Sequence, residues 1–148
     1  ISFEIDTESL EAGTYEYSFS TDDDEVNSGE IYVIECPNDD EVPEHGAIDA
    51  EDLSERGMER VNIDIRLVED GDEYSDSELI AIAKEAVCIF TQDDEWNAIG
   101  LTFWEPGQTP GYEQAYAECN WAPDGVWGRA DDVDTGDYST HEFNLRRF

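Results

Sequence analysis

The sequence predicts an α+β fold, an antiparallel β-sheet with one principal buried helix packed on it over about residues 76–92. Three observations carry that reading. Runs with an apolar residue at every second position recur along the chain. A single long run repeats at helical spacing instead, and Gly, Pro, Asn and Asp clusters separate the runs.

Residues 1–36 read as three strands. Residues 1–6 alternate Ile1, Phe3 and Ile5 with polar side chains, residues 15–20 do the same with Tyr15, Tyr17 and Phe19, and residues 30–36 (EIYVIEC) form the third run. The acidic stretch TDDDEVNSG is the connection before that third run. Residues 37–60 carry two prolines, scattered acids and little periodicity, which predicts a long loop with a short helix at residues 50–56 started by Asp49.

Residues 61–148 have a clearer pattern. Val61, Ile63, Ile65 and Leu67 share one strand face, with Asn62, Asp64 and Arg66 opposite. Ser75 and Glu78 have the spacing of a capping box, in which each satisfies a backbone N–H of the first helical turn. Beyond them Leu79, Ala83, Val87 and Phe90 form a stripe that Ile82, Ala86 and Ile89 widen, so the helix should be covered on most sides. A strand over residues 97–105 turns Ile99, Leu101 and Phe103 inward, and residues 107–111 make a turn. The next strand places Ala115, Ala117, Cys119 and Trp121 on one face and enters the turn APDGV, a hairpin geometry that sets Trp121 across from Trp127. Residues 138–148 (YSTHEFNLRRF) alternate as a last strand. The two parts are expected to form a single domain, 1–148, because neither alone has enough apolar residues to close a core.

The charge balance narrows function by exclusion. Forty Asp and Glu against seven Lys and Arg give a net charge of -33. Direct nucleic-acid binding needs a basic stripe, and membrane insertion needs about 18 consecutive apolar residues; the sequence has neither. The acids are dispersed, with at least one in every successive stretch of ten residues, and Lys84 is the only lysine. Leu, Ile, Val and Phe amount to only about 21% of the chain, so aromatic side chains have to supply much of the buried area. In this dispersed acidity and near absence of lysine the composition resembles that of proteins from extremely halophilic archaea, a likeness that singles out no family. It implies a high-salt environment, in a halophile cytoplasm or at the cell surface and beyond, with solvent cations as the counter-charge.

Against that background no carboxylate stands out by identity alone. The best calcium or sodium candidate is the run holding Asp132, Asp134 and Asp137, but its Gly is fifth where an EF-hand requires the sixth, and the twelfth residue is Phe143. His45 and His141 lack any partner at metal-ligand spacing and read as surface histidines. Among the cysteines, Cys88 reads as a small core residue, while Cys36 and Cys119 lie in strand-like segments that could bridge in an oxidising compartment. A Cys119–His141 nucleophile pair is conceivable without a motif to support it. No nucleotide-binding motif occurs and no cofactor is expected.

The aromatics of the last third are the remaining signal. Trp104, Tyr112, Tyr116 and Trp127 are the candidate binding residues, a surface for another protein or a carbohydrate. The leading expectation is therefore a non-catalytic binding or structural module of a salt-adapted protein. The alternatives are a small hydrolase with a site invisible in sequence, and an acidic inhibitor that imitates nucleic acid.

Overall fold

The computed structural model describes residues 13–20, 26–34 and 36–148. The expected strand at residues 1–6 lies outside these. The chain divides into two compact units, Ile1–Glu35 and Cys36–Phe148. In the first, β1 (Gly13–Ser20) and β2 (Val26–Val33) pair antiparallel, with Gly13 opposite Val33 and Ser20 opposite Val26. Strand β2 thus reaches back into the stretch expected as connection.

The second unit is the predicted α+β fold. Its five strands are β3 (His45–Asp52), β4 (Arg60–Leu67), β5 (Ala98–Trp104), β6 (Ala117–Pro123) and β7 (His141–Arg147), lying side by side in chain order. Helix α1 (Asp76–Thr91) connects β4 to β5. All neighbours are antiparallel except β4 and β5, which run parallel. That pair departs from the purely antiparallel expectation for a simple reason: two adjacent strands joined by a long helical crossover come back in the same direction.

Helix α1 starts where its cap predicts. The Ser75 hydroxyl accepts from the Glu78 N–H and the Glu78 carboxylate accepts from the Ser75 N–H, at 3.2 and 3.1 Å. Its Leu79, Ile82, Ala83, Ala86 and Val87 are buried. Below them lie Val61, Ile63, Ile65 and Leu67 of β4, Ile99, Leu101 and Phe103 of β5, and Ala117, Cys119 and Trp121 of β6, all buried and in register on one sheet face. Cover on most sides does not occur, since Ile89 is 56% exposed. One sheet face covers one side of a helix, and the apolar stripe is wider than that. Among the described residues no helix is long and apolar enough to cross a membrane.

Three local expectations need correction. The predicted helix at residues 50–56 is instead the edge strand β3 and its hairpin into β4. Arg56 and Gly57 both take positive φ (43° and 83°), and Met58 N–H donates to Glu55 O at 2.8 Å, the geometry of a two-residue turn suited to strand twist. Strand β3 is exposed along nearly its whole length, so it has no buried face to imprint an alternation. The Trp121–Trp127 pair also fails. After the turn at Asp124 and Gly125 (φ 54° and 73°) the chain enters a 3-10 helix, Trp127–Asp132, and the residue opposite Trp121 is Phe143 of β7. Finally, Cys36 is bonded to Cys88, with Cα atoms 5.6 Å apart, and Cys119 is the free, buried cysteine. Sequence spacing cannot decide connectivity among three cysteines.

Candidate functional site

The pleat that sends β4–β6 apolar residues toward α1 sends their neighbours to the opposite face. That face carries Asn62, Asp64 and Arg66, then Gly100, Thr102 and Trp104, then Glu118 and Asn120. Its polar groups bond one another: the Trp104 indole N–H donates to Asp64 Oδ1 (3.0 Å), and the Thr102 hydroxyl donates to Asn62 Oδ1 (3.2 Å). Arg66 closes one end by donating to the carbonyls of Glu105 and Gln108 at 2.7 and 2.6 Å, folding the loop after β5 against the sheet.

Trp127 closes the other end. Its ring packs against Ala98, Ala122 and Ala130, and the Arg60 guanidinium stands 5.1 Å from its centroid, a cation–π contact. Gly100 is what lets the ring lie so low on the sheet. A Cβ there would come within 3.1 Å of Asn62 Oδ1 and 3.2 Å of Trp127 Cζ3. Between the two tryptophans remains a strip of half-exposed polar side chains, Asn62, Thr102 and Asn120.

The four candidate aromatics do not come together as one surface. Trp104 and Trp127 share this face, though Trp104 is only 7% exposed. Tyr112 is 88% exposed on the loop after β5. Tyr116 sits elsewhere: its ring occupies the space where Gly71 would carry a Cβ, and its hydroxyl accepts from Arg147 Nη1 and donates to Asp72 Oδ1. Burial works against the Arg147 charge, but Tyr116 and Asp76 outweigh it and hold its pKa above the usual value. Strand parity alone anticipates that Trp104 opposes Phe103; nothing in the sequence anticipates the Tyr116–Arg147 contact across 31 residues.

The carboxylates and backbone of the acidic run bond their own neighbours. Asp132 accepts from Arg129 Nε at 2.7 Å, Asp137 Oδ1 accepts from the Ser139 N–H and hydroxyl, and the Asp134 carbonyl accepts from the Asp137 N–H. Among the described residues no group of three His, Cys, Asp or Glu side chains could hold a metal ion.

Sequence reasoning missed a cluster around Asn97, the one buried polar residue among those described. Its Oδ1 accepts from the Glu59 N–H (2.8 Å) and the Thr135 hydroxyl (2.6 Å), while its Nδ2 donates to the carbonyls of Ala130 and Val133. Its own carbonyl accepts from His141 Nε2 at 2.8 Å. His141 is therefore not a surface histidine. Its ring lies 4.5 Å from the Trp121 ring and 5.2 Å from Tyr138, and its Nδ1 is buried without a hydrogen-bond partner. Burial pushes its pKa below the usual histidine value, outweighing the Asn97 carbonyl and Asp137. Tyr138 accepts from the Trp96 N–H at 3.0 Å, and burial raises its pKa. The Cys119–His141 pairing does not form: Cys119 lies opposite Leu145, and His141 opposite Pro123. Burial also pushes the Cys119 thiol up to about 12, so it stays protonated.

Compared with known proteins, no family model, no curated protein and no solved structure matches this chain.

Proposed function

We propose that this chain is a non-catalytic binding module of a salt-adapted protein, and that its contact surface is the sheet face between Trp104 and Trp127. The observation that carries this reading is the half-exposed strip of Asn62, Thr102 and Asn120, held between two ordered indoles on the face that α1 leaves uncovered. Two amides and a hydroxyl suit a neutral, hydroxyl-rich ligand such as a carbohydrate. An anionic ligand would meet the field of forty carboxylates.

The handling of cations supports the salt adaptation. Arg129 binds Asp124 and Asp132, Arg146 binds Glu118 and Arg147 binds Asp76, while Arg66 is spent on backbone carbonyls. So few arginines, already engaged, leave the rest of the acid charge to solvent cations. Screening lengthens from about 3 Å to about 10 Å between ~1 M and ~0.1 M salt, so the melting midpoint should fall over that range. An unchanged midpoint removes the salt-adaptation half of the proposal.

The binding half is tested by tryptophan fluorescence in ~1 M KCl, titrating neutral glucose and N-acetylglucosamine oligosaccharides into the native chain and into Asn120→Ala and Thr102→Val. A saturable change that both substitutions weaken supports the reading. Absence of any change, or a change indifferent to both variants, eliminates this face as a carbohydrate surface.

A further inference from the structure

Strand β7 is the outer strand of the five-stranded sheet, paired with β6 on one side. Among the described residues no strand pairs with its other side. The Phe148 N–H donates to Tyr116 O, directly beyond the register pair Ala117 and Arg147. Antiparallel backbones alternate, so Phe143, Leu145 and Arg147 turn their N–H and C=O groups away from β6. An edge of this kind is a template for another strand.

The sequence of β7, HEFNLRR, complements itself. Laid antiparallel against a second copy about a two-fold axis at Asn144, Glu142 meets Arg146 twice, Phe143 meets Leu145 twice and Asn144 meets its own counterpart. Phe143 and Leu145 are both half-buried in the single chain and both outward-facing in backbone, as a hydrogen-bonded cross-strand pair requires. Sliding the register by two residues, to centre on Phe143 or Leu145, keeps the backbone geometry and loses both ion pairs. The other edge, β3, has no such match. It carries Asp49, Glu51 and Asp52, and a bulge interrupts its register between Ala47 and Asp49.

We propose that β7 pairs with β7 of a second copy of this chain about a two-fold axis at Asn144, joining the two sheets into one. Charge selects this edge: in a chain of net charge -33, β7 carries two adjacent arginines, Arg146 and Arg147, against one glutamate, Glu142. Arg146 is mostly exposed, pairs with Glu118 on β6 and lies over the Phe148 ring, which leaves its outer side open to a second carboxylate. Long-range repulsion between two such acidic chains falls away when the Debye length is about 3 Å, so the pairing belongs to molar salt. This inference is independent of the contact surface proposed above.

Sedimentation equilibrium of the full chain in ~1 M KCl tests it. A reversible dimer is expected, weakening on transfer to ~0.1 M KCl. Leu145→Pro deletes an outward-facing N–H without touching a β6 bond and should abolish the dimer. Should that variant not fold, Glu142→Arg decides, because it sets like charges opposite at two symmetric places. It should weaken association by about fivefold, and the exchange Glu142→Arg with Arg146→Glu should recover it. A chain that stays monomeric at every concentration overturns the proposal, including a monomer whose β7 amides are protected by another segment of its own. So does a dimer indifferent to Glu142→Arg and to Leu145→Pro.

Discussion

The two faces of the sheet are made by the same three central strands, yet they are held by different forces. Under α1, β4–β6 present Val61, Ile63, Ile65, Leu67, Ile99, Leu101, Phe103 and Trp121, all essentially closed to solvent. Opposite, the same strands present Asn62, Asp64, Thr102, Trp104 and Asn120, and cohesion comes from side-chain hydrogen bonds and from Trp127 lying over Gly100. A chain with few aliphatic residues gathers them into one layer. That layer holds the aliphatic core, and the other face is built from polar side chains and two indoles.

This contrast can be broken by experiment. Trp121, buried among Tyr138, His141 and Phe143 on the helix side, should cost ~3–5 kcal/mol when replaced by alanine. Chemical denaturation reads the loss directly. The Cys36–Cys88 bond anchors the same layer, since Cys88 lies on α1, and it closes a loop of 52 residues. Cys36→Ser or reduction should cost ~2–4 kcal/mol, visible as a lower denaturation midpoint with and without reductant. Trp127→Ala, on the open face, should cost only ~1–2 kcal/mol, because its ring is half-buried to begin with. Equal losses for Trp121 and Trp127 would mean that both faces are core, and the case for a contact surface would collapse.

The smallest effect sharpens the comparison by pH. His141, on the helix side, has a folded pKa below its ordinary 6.5, first because of burial. The unfolded chain therefore binds more protons between the two values, so this contribution to stability is complete above about pH 6.5 and is lost as pH falls below it. Melting from pH 8 to pH 5.5 at constant salt should show that slope. His141→Gln keeps a donor for the Asn97 carbonyl and should flatten it.

What could be read from sequence follows the same divide. Strand β4 and helix α1 were legible because each buries one face, and a buried face leaves a period: two for Val61 to Leu67, near four for Leu79 to Val87. Strand β3 is as long as β4 and pairs with it, but its exposed residues obey no such constraint and read as loop. The Asn97 cluster was invisible for another reason. A lone asparagine carries no pattern, and its partners Glu59, Ala130, Val133 and Thr135 mostly contribute backbone groups that any residue would supply. Of the candidate site, parity placed Trp104 on the face away from Phe103. The position of Trp127 depended on a 3-10 helix following a turn that equally suits a hairpin.

The order of strands in space is their order along the chain. No strand has to be inserted between two that are already paired, and the one connection between parallel strands in the five-stranded sheet is the β4–α1–β5 crossover. In that unit the two parallel strands are joined only through the helix, and loop closure over the helix is its main entropic cost. Once it exists, β3 adds on one flank and β6 then β7 on the other, each beside a strand already in place. The sheet can therefore be completed in the direction of synthesis, with β7, one of its two outer strands, joining last.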